Sequence, residues 1–322
     1  MKKRKPILVL LKVCLLVVVS VFLVSAVSQS VKNYKLRKET LSFLKTFDGD
    51  VYLGYDGLFV LDKKKFTWVK VPSPPGFFAF RYGDADVSDE GFVFYSNHKD
   101  YRLEERLLGD PNGLIFLSDL SNVYPNARIS RNLALAFTAP DYEDPNYNTK
   151  IFIYDPNTQV KKQQAAVRGY ISGLCWSEGE NTGLYWDLDS SIYYTAEDDL
   201  KATFQFEGAC PRSLVNGDIV YWKFTENFHI YYRYLASEGK HVELYQKPSD
   251  IFLGYDCDPT GRYFVISEFK IPIRSLIPRN VITIYDTQSQ KEYQLPIKKD
   301  AKTGVVFILP GSTLKSIRLR GN

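Results

Sequence analysis

The stretch that most limits what this chain can fold into runs from Ile251 to Pro296. Ile251–Asp258 is apolar, Pro259-Thr260-Gly261 reads as a turn, and Arg262–Phe269 (RYFVISEF) is rich in β-branched and aromatic residues. Val281–Asp286 (VITIYD) follows, then the short alternating run Lys291–Pro296. Runs of this kind, bounded by Pro, Gly and Asp, predict four short strands in succession. One sheet of four such strands cannot bury both of its faces, so it predicts neighbouring copies.

The copies are present. An apolar strand ending in Asp, seen at Ile282–Asp286, recurs as Leu58–Asp62, Ile115–Asp119 and Ile151–Asp155. An Asp at that place can cap the following turn through its side chain. Two degenerate copies lie between, Ser191–Glu197 (SIYYTAE) and His229–Ala236 (HIYYRYLA). Reading each as the third strand of a blade gives six blades. The first supplies only Val51–Tyr55, Leu58–Asp62 and Phe66–Val71, and the isolated apolar run Gly304–Leu309 can complete it. Closure of that kind removes exposed sheet edges. The expected fold is therefore all-β: a six-bladed β-propeller closed by its C-terminal strand and preceded by an N-terminal transmembrane or signal segment. Tyr and Phe are abundant (23 and 21 residues) against a single Met, as suits sheet.

Three regions are expected: 1–28, a signal anchor or signal peptide; 29–47, a basic stalk with a short helix near Leu41–Phe47; and 48–322, the propeller. Met1–Pro6 is basic and Ile7–Ser28 is almost wholly apolar, broken by Lys12. Val24-Ser25-Ala26 resembles a signal-peptidase site, which would release the chain as a secreted protein. Ile7–Ser28 is also long enough to span a bilayer, and the basic flank Lys32, Lys35, Arg37 and Lys38 favours a retained anchor. The charged start places the N-terminus in the cytoplasm and the propeller outside, periplasmic or extracellular. Nine of the 41 basic residues and none of the 37 acidic ones fall within residues 1–38. The rest is mildly acidic, which argues against a nucleic-acid partner.

Insertions are expected between second and third strands at Asn97–Gly113, Pro140–Lys150 and Lys270–Asn280, all on one face of the ring. Long loops on a rigid scaffold are where binding residues concentrate. They carry His98, Tyr101, Arg102, Tyr142, Arg274 and Arg279 as candidate binding residues. The three histidines (His98, His229, His241) fall in different blades and form no metal-ligand pair, with His229 and His241 expected at strand edges or the surface. No Gly-x-Ser-x-Gly elbow occurs; Ser172, between Gly169 and Gly173, is at the wrong spacing. Asp84–Asp89 imitates half a calcium loop but has Asp89 where Gly is needed and Tyr95 where Glu is needed, and so reads as an acidic turn. No catalytic residue, metal or cofactor is therefore assigned.

Cys175, Cys210 and Cys257 fall in or just beyond the first strands of blades four, five and six. A Cys175–Cys210 or Cys210–Cys257 disulfide is open to neighbouring blades in an oxidising compartment, as is the alternative of three buried thiols. Trp176, Trp186 and Trp222, with Tyr193, Tyr194, Tyr221, Tyr231 and Tyr232, read as inter-blade core.

The blade pattern resembles the TolB-like and WD40-like propeller superfamily over about residues 48–310. The carriers are Asp258-Pro259-Thr260-Gly261-Arg262, the Ile-Tyr-Asp strand endings, and Trp176-Ser177-Glu178-Gly179, similar to the Trp-Ser-Pro-Asp-Gly turn of TolB-type repeats. The resemblance implies the fold. It includes interaction proteins, accessory domains of oligopeptidases and enzymes, so it leaves activity open. The expectation is a binding or scaffold propeller of the cell envelope that presents its long-loop face to a protein or peptide. The alternatives are an enzyme with a composite site at the channel mouth and a carbohydrate-binding propeller.

Overall fold

The computed structural model describes residues 5–54, 58–71, 85–87, 92–97, 102–107, 114–117, 128–129, 134–140, 148–155, 158, 160–177, 183–197, 199, 201–248, 251–270, 279–297 and 305–310. The chain divides into two compact units, 1–47 and 48–322. The first is one helix, α1 (Lys5–Thr46). Pro6 lies in its first turn, where a missing N–H is tolerated, and no other Pro and no Gly interrupts it. The stalk expected over 29–47 is thus helical as far as Thr46, because Gln, Lys, Leu, Arg and Glu hold its backbone in helix. At 1.5 Å per residue α1 is about 63 Å long. Among the described residues it is the one helix long and apolar enough to cross a membrane, as anchors and signal sequences both are.

The described strands of the second unit form six four-stranded antiparallel sheets. Blade one is β1 (Gly49–Gly54), β2 (Leu58–Asp62) and β3 (Thr67–Lys70), with β24 (Val305–Pro310) as its innermost strand. Val51 faces Ile308 and Leu53 faces Val306 across β1 and β24, and all four side chains are buried. The closing strand lies one residue beyond the expected Gly304–Leu309.

Blade two is β4 (Ala85–Val87), β5 (Phe92–Asn97), β6 (Arg102–Leu107) and β7 (Leu114–Leu117). This corrects the expectation twice. The stretch Asn97–Gly113 is not an insertion, since Arg102–Leu107 is the third strand, and Ile115–Leu117 belongs to the fourth strand. Arg-Leu-Glu-Glu-Arg-Leu has little β-propensity, but it is hydrogen-bonded on both sides, by β5 and β7. Asp86, expected in an acidic turn, is in β4.

Blade three is β8 (Arg128–Ile129), β9 (Leu135–Pro140), β10 (Asn148–Asp155) and β11 (Val160–Arg168). Blade four is β12 (Leu174–Trp176), β13 (Gly183–Leu188), β14 (Ser191–Ala196) and β15 (Thr203–Glu207). Blade five is β16 (Ala209–Ser213), β17 (Ile219–Phe224), β18 (Phe228–Leu235) and β19 (Lys240–Pro248). Blade six is β20 (Ile251–Cys257), β21 (Tyr263–Lys270), β22 (Arg279–Asp286) and β23 (Lys291–Gln294).

Asp at the end of a third strand caps the next turn, as the repeats predict. Asp62 accepts from the backbone N–H groups of Lys64 and Lys65, Asp155 from the Thr158 hydroxyl, and Asp286 from Gln288 N and Ser289 Oγ. Asp119 lies outside the described residues.

Blades pack face to face through apolar layers. Ile151, Ile153 and Ala165 of blade three meet Leu174, Leu184 and Trp186 of blade four. Phe206 of blade four meets Ile219 and Tyr221 of blade five. Val220 and Tyr231 of blade five meet Tyr255, Phe264 and Tyr285 of blade six. Trp176, Trp186, Tyr221 and Tyr231 are buried, as the inter-blade reading of the aromatics predicts. Each large apolar side chain buried this way contributes about 1.5–3 kcal/mol. The ring closes between blades six and one, where Ile308 N donates to Asp256 (3.0 Å) and Trp68 Nε1 donates to the Pro296 carbonyl (2.7 Å).

Candidate functional site

Strand order decides where the connections go. With innermost strands running the same way around the axis, second-to-third connections and those leading from one blade to the next all leave at one face. At blades six, one, two and three, 271–278, 295–304, 71–84, 118–127 and 141–147 are long. Around blades four and five the equivalents are 169–173, 189–190, Gly208, 225–227 and 249–250, none longer than five residues. The lopsided rim therefore keeps two of the three expected segments, 141–147 within Pro140–Lys150 and 271–278 within Lys270–Asn280, and differs at the third. The blade-two insertion shrinks to 98–101, while the inter-blade links 71–84 and 118–127 join the same face.

Of the candidate binding residues, Arg102 and Arg279 open strands β6 and β22 and so stand at the edge of this face. His98, Tyr101, Tyr142 and Arg274 lie outside the described residues.

At the inner edge of the face, blades four and five are tied by a buried carboxylate. Asp187, next to last in β13, is 2% exposed. Its Oδ1 accepts from Ser172 N (2.8 Å) and Gly173 N (2.7 Å). Its Oδ2 accepts from Ser172 Oγ (2.7 Å) and, across the blade boundary, from Cys210 N (2.6 Å). Burial pushes its carboxyl above the ordinary value, against the pull of these four bonds. With four donors aimed at it, the carboxylate is structural and has no lone pair free for a substrate proton. Ser172 is spent in the same cluster.

Cys210 explains why the Cys175–Cys210 bridge does not form. It occupies the left-handed region (φ 51°) in a bulge of β16. Its Cα lies against Gly173, so close that a Cβ there would overlap it. The register thus sets Gly173, rather than Cys175, beside Cys210. Cys175, Cys210 and Cys257 stand on the innermost strands of blades four, five and six and form no disulfide with one another. Burial and then the Asp187 charge push the Cys210 thiol up, so it is protonated at neutral pH. Cys257 is raised further, by burial and then by the Asp256 and Asp258 charges.

A second inner link joins blades five, six and one. Arg212 Nε lies 3.5 Å from Asp256 Oδ1, its guanidinium sits 5.7 Å from the centre of the Tyr255 ring, and Asp256 Oδ2 accepts from Ile308 N. Tyr255 donates to the Cys210 carbonyl (2.6 Å). Between β19, the outermost strand of blade five, and β21, the second strand of blade six, Lys247 and Glu268 form a buried ion pair at 2.8 Å.

Two histidines depart from or refine expectation. His229 is buried rather than at a surface edge, its ring 5.1 Å from Trp222 and 5.2 Å from Phe224. His241 is exposed, and its Nδ1 is 2.8 Å from the Tyr221 hydroxyl. Among the described residues no group of three or more His, Cys, Asp or Glu is placed to hold a metal.

The sequence reading missed Asp187 and Asp256. Each bonds to a neighbouring blade, so no local motif marks it.

No protein-family model matches this sequence, and no curated protein matches it. Solved structures do. TolB from Acinetobacter baumannii aligns with a TM-score of 0.60 at 14% identity, over 82% of this chain and 67% of that one. An oligogalacturonate lyase in complex with manganese aligns at 0.52 and 9% identity, over 78% and 79%. A chain of a nidogen–laminin complex aligns at 0.50 and 10% identity, over 81% and 98%. At such identities the likeness is one of fold: the six sheets are those of a six-bladed β-propeller.

Proposed function

We propose that this chain is an exported, membrane-tethered binding propeller that presents its long-connection face to a protein or peptide of the cell envelope. The observation that carries the proposal is the uneven distribution of connections. Five segments of seven or more residues gather at one face, on four contiguous blades, while blades four and five are trimmed to short turns. Stability alone gives no reason for that asymmetry, whereas a laterally placed docking surface does. The cluster between blades four and five supports it, because Asp187 and Ser172 are already engaged in fastening those blades. A rigid ring loses little entropy when its rim binds.

On this reading α1 is the tether. Its apolar part, Ile7–Ser28, would span about 33 Å of helix, enough for the hydrocarbon core. The basic Met1–Lys5 end stays in the cytoplasm and the propeller stands outside.

The test is affinity capture from crosslinked envelopes, using the full chain beside a variant in which 141–147 and 271–278 are replaced by two-residue turns. A partner retained by the first and lost from the second is the expected result. The same partner on both, or none on either, contradicts the proposal.

A further inference from the structure

Asn-Gly, the pair that leaves an asparagine amide least shielded from its own backbone, occurs twice, at 112–113 and 216–217. The first lies outside the described residues. The second stands in the turn between β16 and β17, where Asn216 is exposed and Gly217 takes a left-handed φ of 82°. With no side chain beside it, a glycine nitrogen can reach the carboxamide carbon of the residue before it. Attack forms a bond from Gly217 N to Asn216 Cγ and breaks the Cγ–Nδ2 bond. Ammonia leaves, carrying the Gly217 proton. Water then opens the cyclic imide at either carbonyl, leaving aspartate or an isoaspartate whose backbone runs through the side chain.

The hydrogen bonds of the turn oppose that attack. Gly217 N donates to the Leu214 carbonyl at 2.9 Å, which occupies the attacking group. Asn216 Nδ2 donates to Asp218 Oδ2 (2.8 Å) and Asn216 Oδ1 accepts from Asp218 N (3.3 Å), which fixes the amide. Asp218 is itself fixed: it is 4% exposed and accepts from Arg233 Nε (2.7 Å) and Ala236 N (3.0 Å). The closed turn thus blocks a reaction that a locally opened turn allows.

The same turn carries a seam between blades five and six. Val215 N donates to the Pro259 carbonyl at 3.0 Å. The buried Leu214 lies so close to Gly261 that a Cβ there would overlap it. Aspartate at 216 would bring a second carboxylate against Asp218, where the amide now donates. Isoaspartate would lengthen the backbone by one carbon inside the turn.

We propose that Asn216 is a site of spontaneous deamidation, restrained by its own turn, and that conversion there loosens the seam between blades five and six.

The full chain in detergent is incubated at mildly alkaline pH, folded and in urea, and the peptide containing residue 216 is read by mass for amide-to-acid conversion. Conversion should be several-fold slower in the folded chain. Asp218→Asn, which turns an amide toward the Asn216 amide, should narrow that gap. Equal rates folded and unfolded overturn the restraint, and no conversion in urea overturns the site. The seam is tested without ageing, by comparing Asn216→Asp with Asn216→Ser, which loses the amide but adds no charge. The thermal midpoint of Asn216→Asp should be the lower. Equal midpoints overturn the loosening.

Discussion

Asp187 is a buried charge stabilised by donors from two blades, and its consequences are specific. Asp187→Asn keeps the shape but points an amide at groups that also donate. It should lower stability by about 2–4 kcal/mol, read as a lower denaturant midpoint with an unchanged slope. The pH dependence has a definite sign. Burial holds the Asp187 carboxyl above the ordinary value. Its folded value thus exceeds its unfolded one, and its contribution to stability declines as pH rises from the ordinary carboxylate range through the raised value.

Asp218 behaves oppositely. Partial burial pushes its carboxyl up, but hydrogen bonds from Asn216, Ala236 N and Arg233 outweigh that and leave it below 3.8. Its contribution is present above 3.8 and lost as pH falls through the lowered value. Asp218→Asn should therefore flatten the acid limb of a plot of thermal midpoint against pH. An unchanged limb would remove Asp218 from the account. The capping Asp residues were legible because they recur at one place in the repeat. Asp187 was not, since its partners lie 14 to 23 residues away and one of them, Cys210, is on another blade.

At the scale of the element, β24 and β6 contrast. Gly304–Leu309 could be assigned as the closing strand because it is an uninterrupted apolar run with no other partner in a six-blade count. The strand β6 escaped because Arg, Glu, Glu and Arg occupy four of its six positions. What makes it a strand is the hydrogen-bonding demand of β5 and β7 on either side. Glu105→Pro should therefore remove the cooperative unfolding transition, since it breaks the ladder in the middle of a sheet. Lys99→Pro, in the connection between β5 and β6, should be tolerated. Comparable stability for the two variants would return Arg102–Leu107 to a loop. With β6 in place, the third strands begin at residues 58, 102, 148, 191, 228 and 279, a more even series than the apolar motifs alone suggested.

For the whole molecule, ring order and closure followed from short-range patterns, whereas the rim that bears the candidate site depended on strand ends. An error in one strand moved a whole insertion, and the inter-blade links 71–84 and 118–127 went unnoticed because they separate blades instead of interrupting one. The two faces are now distinguishable by position. Asn148 and Arg279 border long connections and Asn97 stands at the same face, while Lys64, Glu238 and Gln288 lie in turns at the opposite face. The most direct measurement places a photo-crosslinking amino acid at each of these six positions in the full chain and illuminates living cells. The account predicts crosslinks to a common partner from 97, 148 and 279 and none from 64, 238 and 288. Crosslinks from the second group, or equally from both, would contradict the assignment of the long-connection face as the binding surface.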